Sequence, residues 1–506
     1  MTAGDSNFLE KSFIDRKELL GASLSGLGSF ALYMACLGPT VQGFDSAELT
    51  MGAYTLGFVH PPGYPLYMLI GHLFSKLPMG NVGWRLNLMS AIFASLGIAT
   101  LYILLSKQTQ NAWAAFVGVT LFATAPAFWS QAIRAEVYTL HNFLMITALL
   151  AWYTAWRRES RWGYLVCFTI LGVAAANHTT TVLLWFAALT SVLWMGKKEL
   201  GWVLAGNLIG LALAVALYLY FPWRSDAALK IDYIRPYFGV DPGSIAGLVW
   251  LITGQAFHCL WLPQSILGQL GRLGDFIWEG TLGFGLLLAA WGWLNLQAVQ
   301  RPWNRLLSLY MIVNLGAFLA YQAIDKEIMF LPILVILSIW CASGFAAFTA
   351  RIVLLRPNAN PATVQALSGL AIVSILGLGM ALDWSNVSLK NERRTYDFTR
   401  QVLNQVGPST TIVNHWATAS VFDYLRLVEG IRPDVTSFNV DFYFLGIQKT
   451  CQPISESYLG QIGWLDHLAE LSDQDRLCFI EPLHDLPEGY DWRQTGACWR
   501  LVVENP

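Results

Sequence analysis

Apolar runs of about 20 residues recur from near the start of this chain to beyond residue 380, and each is long enough to cross a bilayer. No other feature restricts the fold so sharply. In lipid every backbone polar group must be satisfied within the protein, so a chain of such runs spans as helices. Charged residues are 13% of the sequence and mean hydropathy is +0.46, whereas soluble domains carry about 25% charged residues. The sequence therefore reads as a polytopic α-helical membrane protein with about eleven spans. A net charge of −2 gives no basic bias, so the bilayer is an expected partner and nucleic acid is not.

The expected spans are Leu19 to Leu37, Trp84 to Ser106, Ala112 to Phe128, Tyr138 to Trp156, Trp202 to Phe221, Phe276 to Ala298, Leu306 to Ala323, Ile328 to Ala350 and Thr363 to Leu382, with two short ones at 162–176 and 178–195. Whether 162–195 is two spans or a re-entrant segment is left open by their length. Residues 1–18 are polar with mixed charge, and the run after them reads as a retained signal anchor. Alternate short connections hold Lys11, Arg16 and Lys17, then Lys107, then Arg157, Arg158 and Arg161, then Lys197 and Lys198, then Arg301 and Arg305, then Arg351 and Arg356. The basic set belongs in the cytoplasm. Loops 40–83, 129–137, 222–275, Asn177-His178, Asp325-Lys326-Glu327 and the tail then share the outer face of an inner (plasma) membrane.

The division expected is a multi-pass membrane domain over 1–382 and a soluble, extracytoplasmic α/β domain over 383–506. The second rests on a rise in charge after Asp383 and on β-rich runs at Thr411–Val413, Val435–Phe438 and Leu477–Ile480. Residues 244–262 suit a helix lying in the interface. Cys36, Cys167 and Cys341 fall in apolar runs and read as packing residues. Cys259, Cys451, Cys478 and Cys498 could form disulfides outside the cell, but spacing does not pair them, and no pair has zinc spacing.

The chemistry concentrates in residues 43–65. Asp45 and Glu48 stand three positions apart just after the first span, and His60 precedes the Pro61-Pro62-Gly63 turn. Asp45 with Glu48 fits a helix capping box. It equally fits a carboxylate held at a helix N-terminus, where the dipole favours its charged form and a general base is well placed. Arg134 and Glu136 lie in the next outer loop, as a surface ion pair or as a second acidic position. His141 and His178 sit near helix ends, where a histidine is a hydrogen-bonded structural group or a ligand. Asn177-His178-Thr179 has the form of a glycosylation sequon but lies too close to the bilayer to serve as one. Arg134, Arg224, Arg235 and Lys326 could anchor at the interface or hold a lipid phosphate at headgroup depth. A divalent cation is a candidate cofactor, with Asp45, Glu48 and Glu136 as its ligands. No nucleotide-binding motif occurs, so an activated group would come from lipid.

The Asp-x-x-Glu after the first span, His-Pro-Pro-Gly-Tyr-Pro over 60–65, and Arg-Ala-Glu-Val-Tyr over 134–138 resemble a family of GT-C superfamily glycosyltransferases. That family contains the eukaryotic transmembrane O-mannosyltransferase acting on plexin-type receptors, together with bacterial relatives of unknown function. The likeness is strongest over about 20–200, and weaker through Asp325–Pro332 and Gly430–Val435. It implies a GT-C helix core and a polyprenyl-phosphate hexose donor, with mannose the expected sugar. It also implies inversion at the anomeric carbon and a hydroxyl acceptor on protein or glycan. Asp45 maps to the acidic residue that takes the acceptor proton, with Glu48 beside it and Glu136 as the second-loop acid; His60 and His141 would line the acceptor side. The tail is shorter than in the eukaryotic members, which leaves acceptor choice open. The alternative is a lipid-linked sugar transporter or flippase, which would need charges within its spans.

Overall fold

A computed structural model describes residues 14–196, 199–261, 266–321, 323, 326–442, 476–482 and 490–503. Helices dominate as far as Val387. Four described helices are long and apolar enough to cross a membrane, Val82–Thr109, Leu200–Ser225, Lys326–Leu355 and Pro361–Val387, or up to six if each of two bent pairs is one span. Outward leucines such as Leu24 and Leu27 on helix Arg16–Ala35, and Leu204, Leu208 and Leu211 on helix Leu200–Tyr218, present the apolar surface that lipid covers. Helices of this length and hydropathy, with such surface, make this a multi-pass membrane protein.

Close packing follows small residues. Helices Arg161–Ala175 and Leu200–Tyr218 meet at Gly172, Gly206 and Gly210, where a Cβ on Gly172 would collide with the Gly210 backbone. Gly206 and Gly210 form the small-x-x-x-small spacing that lets two helix backbones touch in lipid.

Two expected spans are broken. The helix begun at Ala112 ends at Thr124, and a second, Pro126–Ala132, leaves at 69°. Pro126 has no amide to continue the ladder and sits at the first turn of the new helix, where that amide is not needed. The span expected at Phe276 starts instead at Phe284, because Leu282 and Gly283 both take positive φ and turn the chain by 90° after Thr281. The region 161–195 is two helices of 15 residues, Arg161–Ala175 and Thr181–Met195. In 244–262, helix Ile245–Ile252 is followed by a 3₁₀ turn, Gln255–Trp261.

Loop 40–83 is largely helical. Helix Asp45–Thr55 and helix Pro65–Ser75 pack on each other and on helix Val82–Thr109. The Phe58 backbone pairs with Ile231 and Tyr233, at 3.1 and 2.8 Å, which ties this loop to the one after Ser225.

After Val387 the described residues form helices Arg394–Gln405 and Trp416–Leu427 and five strands, β1 (Thr411–Asn414), β2 (Thr436–Asn439), β3 (Leu477–Phe479), β4 (Tyr490–Thr495) and β5 (Cys498–Val503). The sheet order is β2-β1-β3-β5-β4. β1 runs parallel to β2 and β3, while β5 runs antiparallel to β3 and β4. Helix Trp416–Leu427 makes the crossover that a parallel β1–β2 pair requires. β4 and β5 join through Gly496-Ala497, with Gly496 at the positive φ such a hairpin needs. Cys478 is bonded to Cys498. The Cys259 side chain and Cys451 lie outside the described residues, as does Asp325.

Candidate active site

The Asp45–Glu48 spacing puts both carboxylates on one face of helix Asp45–Thr55. The expected capping box does not form. Phe44 is the cap residue, Asp45 is the first helical residue, and no side chain caps the helix. The reason is a competition for Glu48. Its Oε1 accepts the His60 backbone amide at 2.5 Å and faces His60 Nδ1 at 3.0 Å, while its Oε2 accepts the Trp416 indole N–H at 3.0 Å. These donors are buried or half-buried, and leaving them unpaired would cost more than an unmade cap.

His60 is the centre of the cluster. Its Nε2 lies 2.9 Å from the Tyr64 hydroxyl and 3.9 Å from Asp45 Oδ2. Its ring is packed by Tyr64, Phe257, Trp416 and Phe442. The turn that delivers it is sequence-encoded: Gly63 takes φ +84°, Tyr64 takes the left-handed conformation, and Pro65 starts the next helix. Side-chain exposure is 5% for His60, 0% for Glu48 and 14% for Asp45. Asp45 is thus the member of the cluster whose carboxylate reaches the surface, and it sits where the helix dipole favours its anion.

The other predicted residues divide. Glu136 is buried, 3.7 Å from Arg134 Nε, and its backbone is held by Ser90. Tyr67 lies within electrostatic reach of both Glu136 and Asp45, and its buried hydroxyl has no partner among the described residues. His141 is buried, with Nε2 at 3.4 Å from Thr180 Oγ1, and its ring packs on His178, which stacks on Tyr64. Arg224 donates to the Leu56 carbonyl, and Arg235 pairs with Asp232 and donates to the Ser225 carbonyl. Arg224 thus braces the first loop directly, while Arg235 reaches it by lying over the Phe58 ring, 5.4 Å from its centroid. Lys326 is almost fully buried, and its ammonium has no hydrogen-bond acceptor among the described residues. Its 3₁₀ turn packs against helix Pro126–Ala132, just ahead of Arg134.

One ligand atom from each of Asp45, Glu48 and His60 lies within 4.8 Å of the others, so these three could hold a metal ion; Glu136 is not in that group. Both Glu48 oxygens already accept hydrogen bonds. A cation bound there would have to displace the His60 contacts.

Sequence reasoning missed Trp416, Tyr64, Tyr67, Asp441 and Phe442. Only Tyr64 carried a local signal, its place in the Pro-Pro-Gly-Tyr-Pro turn. Asp441 Oδ2 accepts the Trp416 amide at 2.8 Å and its Oδ1 meets His415 Nδ1 at 3.0 Å. Nearby, Tyr233 donates to Asp423 at 2.5 Å and Arg426 pairs with the other Asp423 oxygen at 3.0 Å. Burial pushes the Asp423 carboxyl up to about 6, against the pull of Arg426 and of the Tyr233 hydrogen bond.

Residues 45–201, which hold most of this cluster, match the family described as the N-terminal domain of the protein O-mannosyl-transferase TMEM260. This stretch is thus similar to a TMEM260-type domain. It is 24% identical over 493 residues to the protein O-mannosyl-transferase tmem260 of Dictyostelium discoideum, an alignment covering 86% of this chain and 58% of that protein. It is also 24% identical to the TMEM260 of Mus musculus, over 80% of this chain and 60% of the mouse protein. The match thus spans about three-fifths of each TMEM260 relative. In fold, the chain is similar to ArnT from Cupriavidus metallidurans. Against ArnT bound to undecaprenyl phosphate the TM-score is 0.58 at 13% identity, covering 96% of this chain and 98% of that one. Against apo ArnT it is 0.59 at 14% identity, covering 96% and 97%.

Proposed function

We propose that this protein is an inverting glycosyltransferase. It moves a hexose, mannose by analogy with its TMEM260 relatives, from a polyprenyl-phosphate carrier to a hydroxyl of a protein Ser or Thr on the outer face of the membrane. The observation that carries the reading is the asymmetry of the cluster: Asp45 reaches the surface while Glu48 and His60 are buried behind it. The ArnT fold, in a protein crystallised with undecaprenyl phosphate, supports a lipid-phosphate donor. Asp45 takes the proton of the acceptor hydroxyl as its oxygen bonds to the anomeric carbon. The carbon–oxygen bond to the carrier breaks, and the phosphate leaves with the electron pair. A phosphate leaving group needs no acid, so a single base suffices, unlike the acid–base pair of a glycosidase. Lys326, whose buried ammonium has no hydrogen-bond acceptor among the described residues, supplies the positive charge a departing phosphate requires.

The test is transfer by the purified protein from a panel of polyprenyl-phosphate hexoses to a Ser/Thr peptide, with and without chelator. Asp45→Asn is expected to lower turnover by about 10²- to 10⁴-fold while the protein still binds donor. Wild-type turnover in that variant would remove Asp45 from the role of base.

A further inference from the structure

The site is not complete within the TMEM260-type domain. We propose that Trp416, brought by the segment after the last long helix, is a positioning residue that holds Glu48, and through it His60, in the arrangement Asp45 needs. The proposal rests on the reading of Asp45 as the base.

The contact is built from both sides. Trp416 is the first residue of helix Trp416–Leu427, which packs on helix Asp45–Thr55. At Gly43 the two backbones abut, because a Cβ there would collide with the Ala417 carbonyl. Gly83 donates to the Tyr424 hydroxyl at 3.3 Å, and the Gln42 side chain donates to the Glu392 carbonyl at 3.4 Å. These ties fix the height of the indole over the first loop. Asp441 fixes its start by accepting the Trp416 amide. The indole ring stands edge-on to Phe44 at 6.0 Å and to His60 at 5.3 Å, and packs on Phe442 at 5.0 Å.

The consequence concerns Glu48. Both donors on its Oε1 come from His60, and the described donor on its Oε2 is Trp416. Without the indole N–H, one oxygen of a fully buried carboxylate loses that bond, and the group can turn about its last torsion to recover one. His60 then loses the bond that sets its ring, and its Nε2 is the atom that faces Asp45. A supporting hydrogen bond of this kind acts on rate through geometry rather than through substrate affinity.

A double-mutant cycle tests this on the full-length protein, with Trp416→Phe, Glu48→Gln and the two combined, reading kcat and the donor KM. Trp416→Phe keeps most of the ring packing and removes the donor. It is expected to lower kcat about 10-fold or more with KM changed less than about twofold. On the Glu48→Gln background it should add less than about twofold, because both changes break the same link. Trp416→Gln, which keeps an N–H but loses the ring, should retain more kcat than Trp416→Phe. Additive losses, a kcat for Trp416→Phe within about twofold of wild type, or the reverse order of Phe and Gln would overturn the proposal. Should Trp416→Phe fail to fold, Trp416→Leu, which also removes the donor, takes its place in the cycle on the same criterion of additivity. Full turnover by Asp45→Asn would sink the base reading separately, since the cycle does not contain Asp45.

Discussion

One oxygen of Glu48 holds His60 twice, by its backbone amide at 2.5 Å and by its ring Nδ1 at 3.0 Å. This fixes more than position. With Nδ1–H donated to a carboxylate, Nε2 of a neutral His60 carries the lone pair, and the Tyr64 hydroxyl donates to it. The tautomer is thus set by a residue with no access to solvent, and the nitrogen turned toward Asp45 is the one that accepts from Tyr64.

Glu48→Ala strands buried donors from His60 and Trp416. A stability loss of about 3 kcal/mol is expected, against about 1 kcal/mol for Glu48→Gln, which retains an acceptor. Unfolding midpoints in detergent measure the order. Equal midpoints for wild type and Glu48→Ala would mean that the carboxylate is solvated rather than clamped.

Lys326 gives a prediction of opposite sign. Among the described residues its buried ammonium has no acceptor, and a buried charge left so opposes folding. Lys326→Met should therefore raise the unfolding midpoint in the absence of lipid donor. It should also weaken the donor, with KM rising about 10-fold, and reduce the extra stability that saturating donor confers. A destabilised variant with unchanged KM would count against a phosphate at this position.

The Asp423 carboxyl predicts a pH dependence. Its folded value of about 6 lies above the roughly 3.9 of an unfolded aspartate. The folded protein therefore binds this proton more tightly. The stabilisation is fully present below about pH 4, and it is lost as pH rises through the folded value. Asp423→Asn should abolish that part of the pH dependence of the unfolding midpoint, whose slope with the wild-type residue is downward between those limits. Arg426, Tyr233 and Glu48 are the groups that act on it, so Arg426→Gln should push the carboxyl further up.

Orientation is open to chemical labelling. Glu159 and Lys390 are both exposed, and the charge rule predicts that they face opposite sides of the membrane. Cysteine placed at 159 should react only with reagent admitted to the cytoplasm, and cysteine at 390 only from outside. The free cysteines among the described residues, Cys36, Cys167 and Cys341, are buried and should stay silent. The reverse pattern would place Asp45 in the cytoplasm.

Much of the fold was legible because it is locally encoded. Apolar runs marked helices such as Arg16–Ala35 and Val82–Thr109, and β-rich runs marked β1, β2 and β3. The hairpin β4–β5 was missed because its strands, Tyr490–Thr495 and Cys498–Val503, mix charged and aromatic residues without a clear alternation. The bend after Thr281 was missed because Leu282 at positive φ has no signature in its side chain.

By itself the sequence determined that the chain lives in lipid, that Asp45 and Glu48 share a helix face, and that His60 enters a rigid turn beside them. These follow from hydropathy, from the 3.6-residue period and from the fixed angles of proline, all of which act over a few residues. The tertiary structure alone decided that Glu48 is buried rather than capping, that His60 is its partner, and that Trp416, 368 positions away, closes the group. Which donor a carboxylate accepts depends on which groups packing leaves buried and unpaired beside it, and residues so far apart in the chain carry no local trace of that choice.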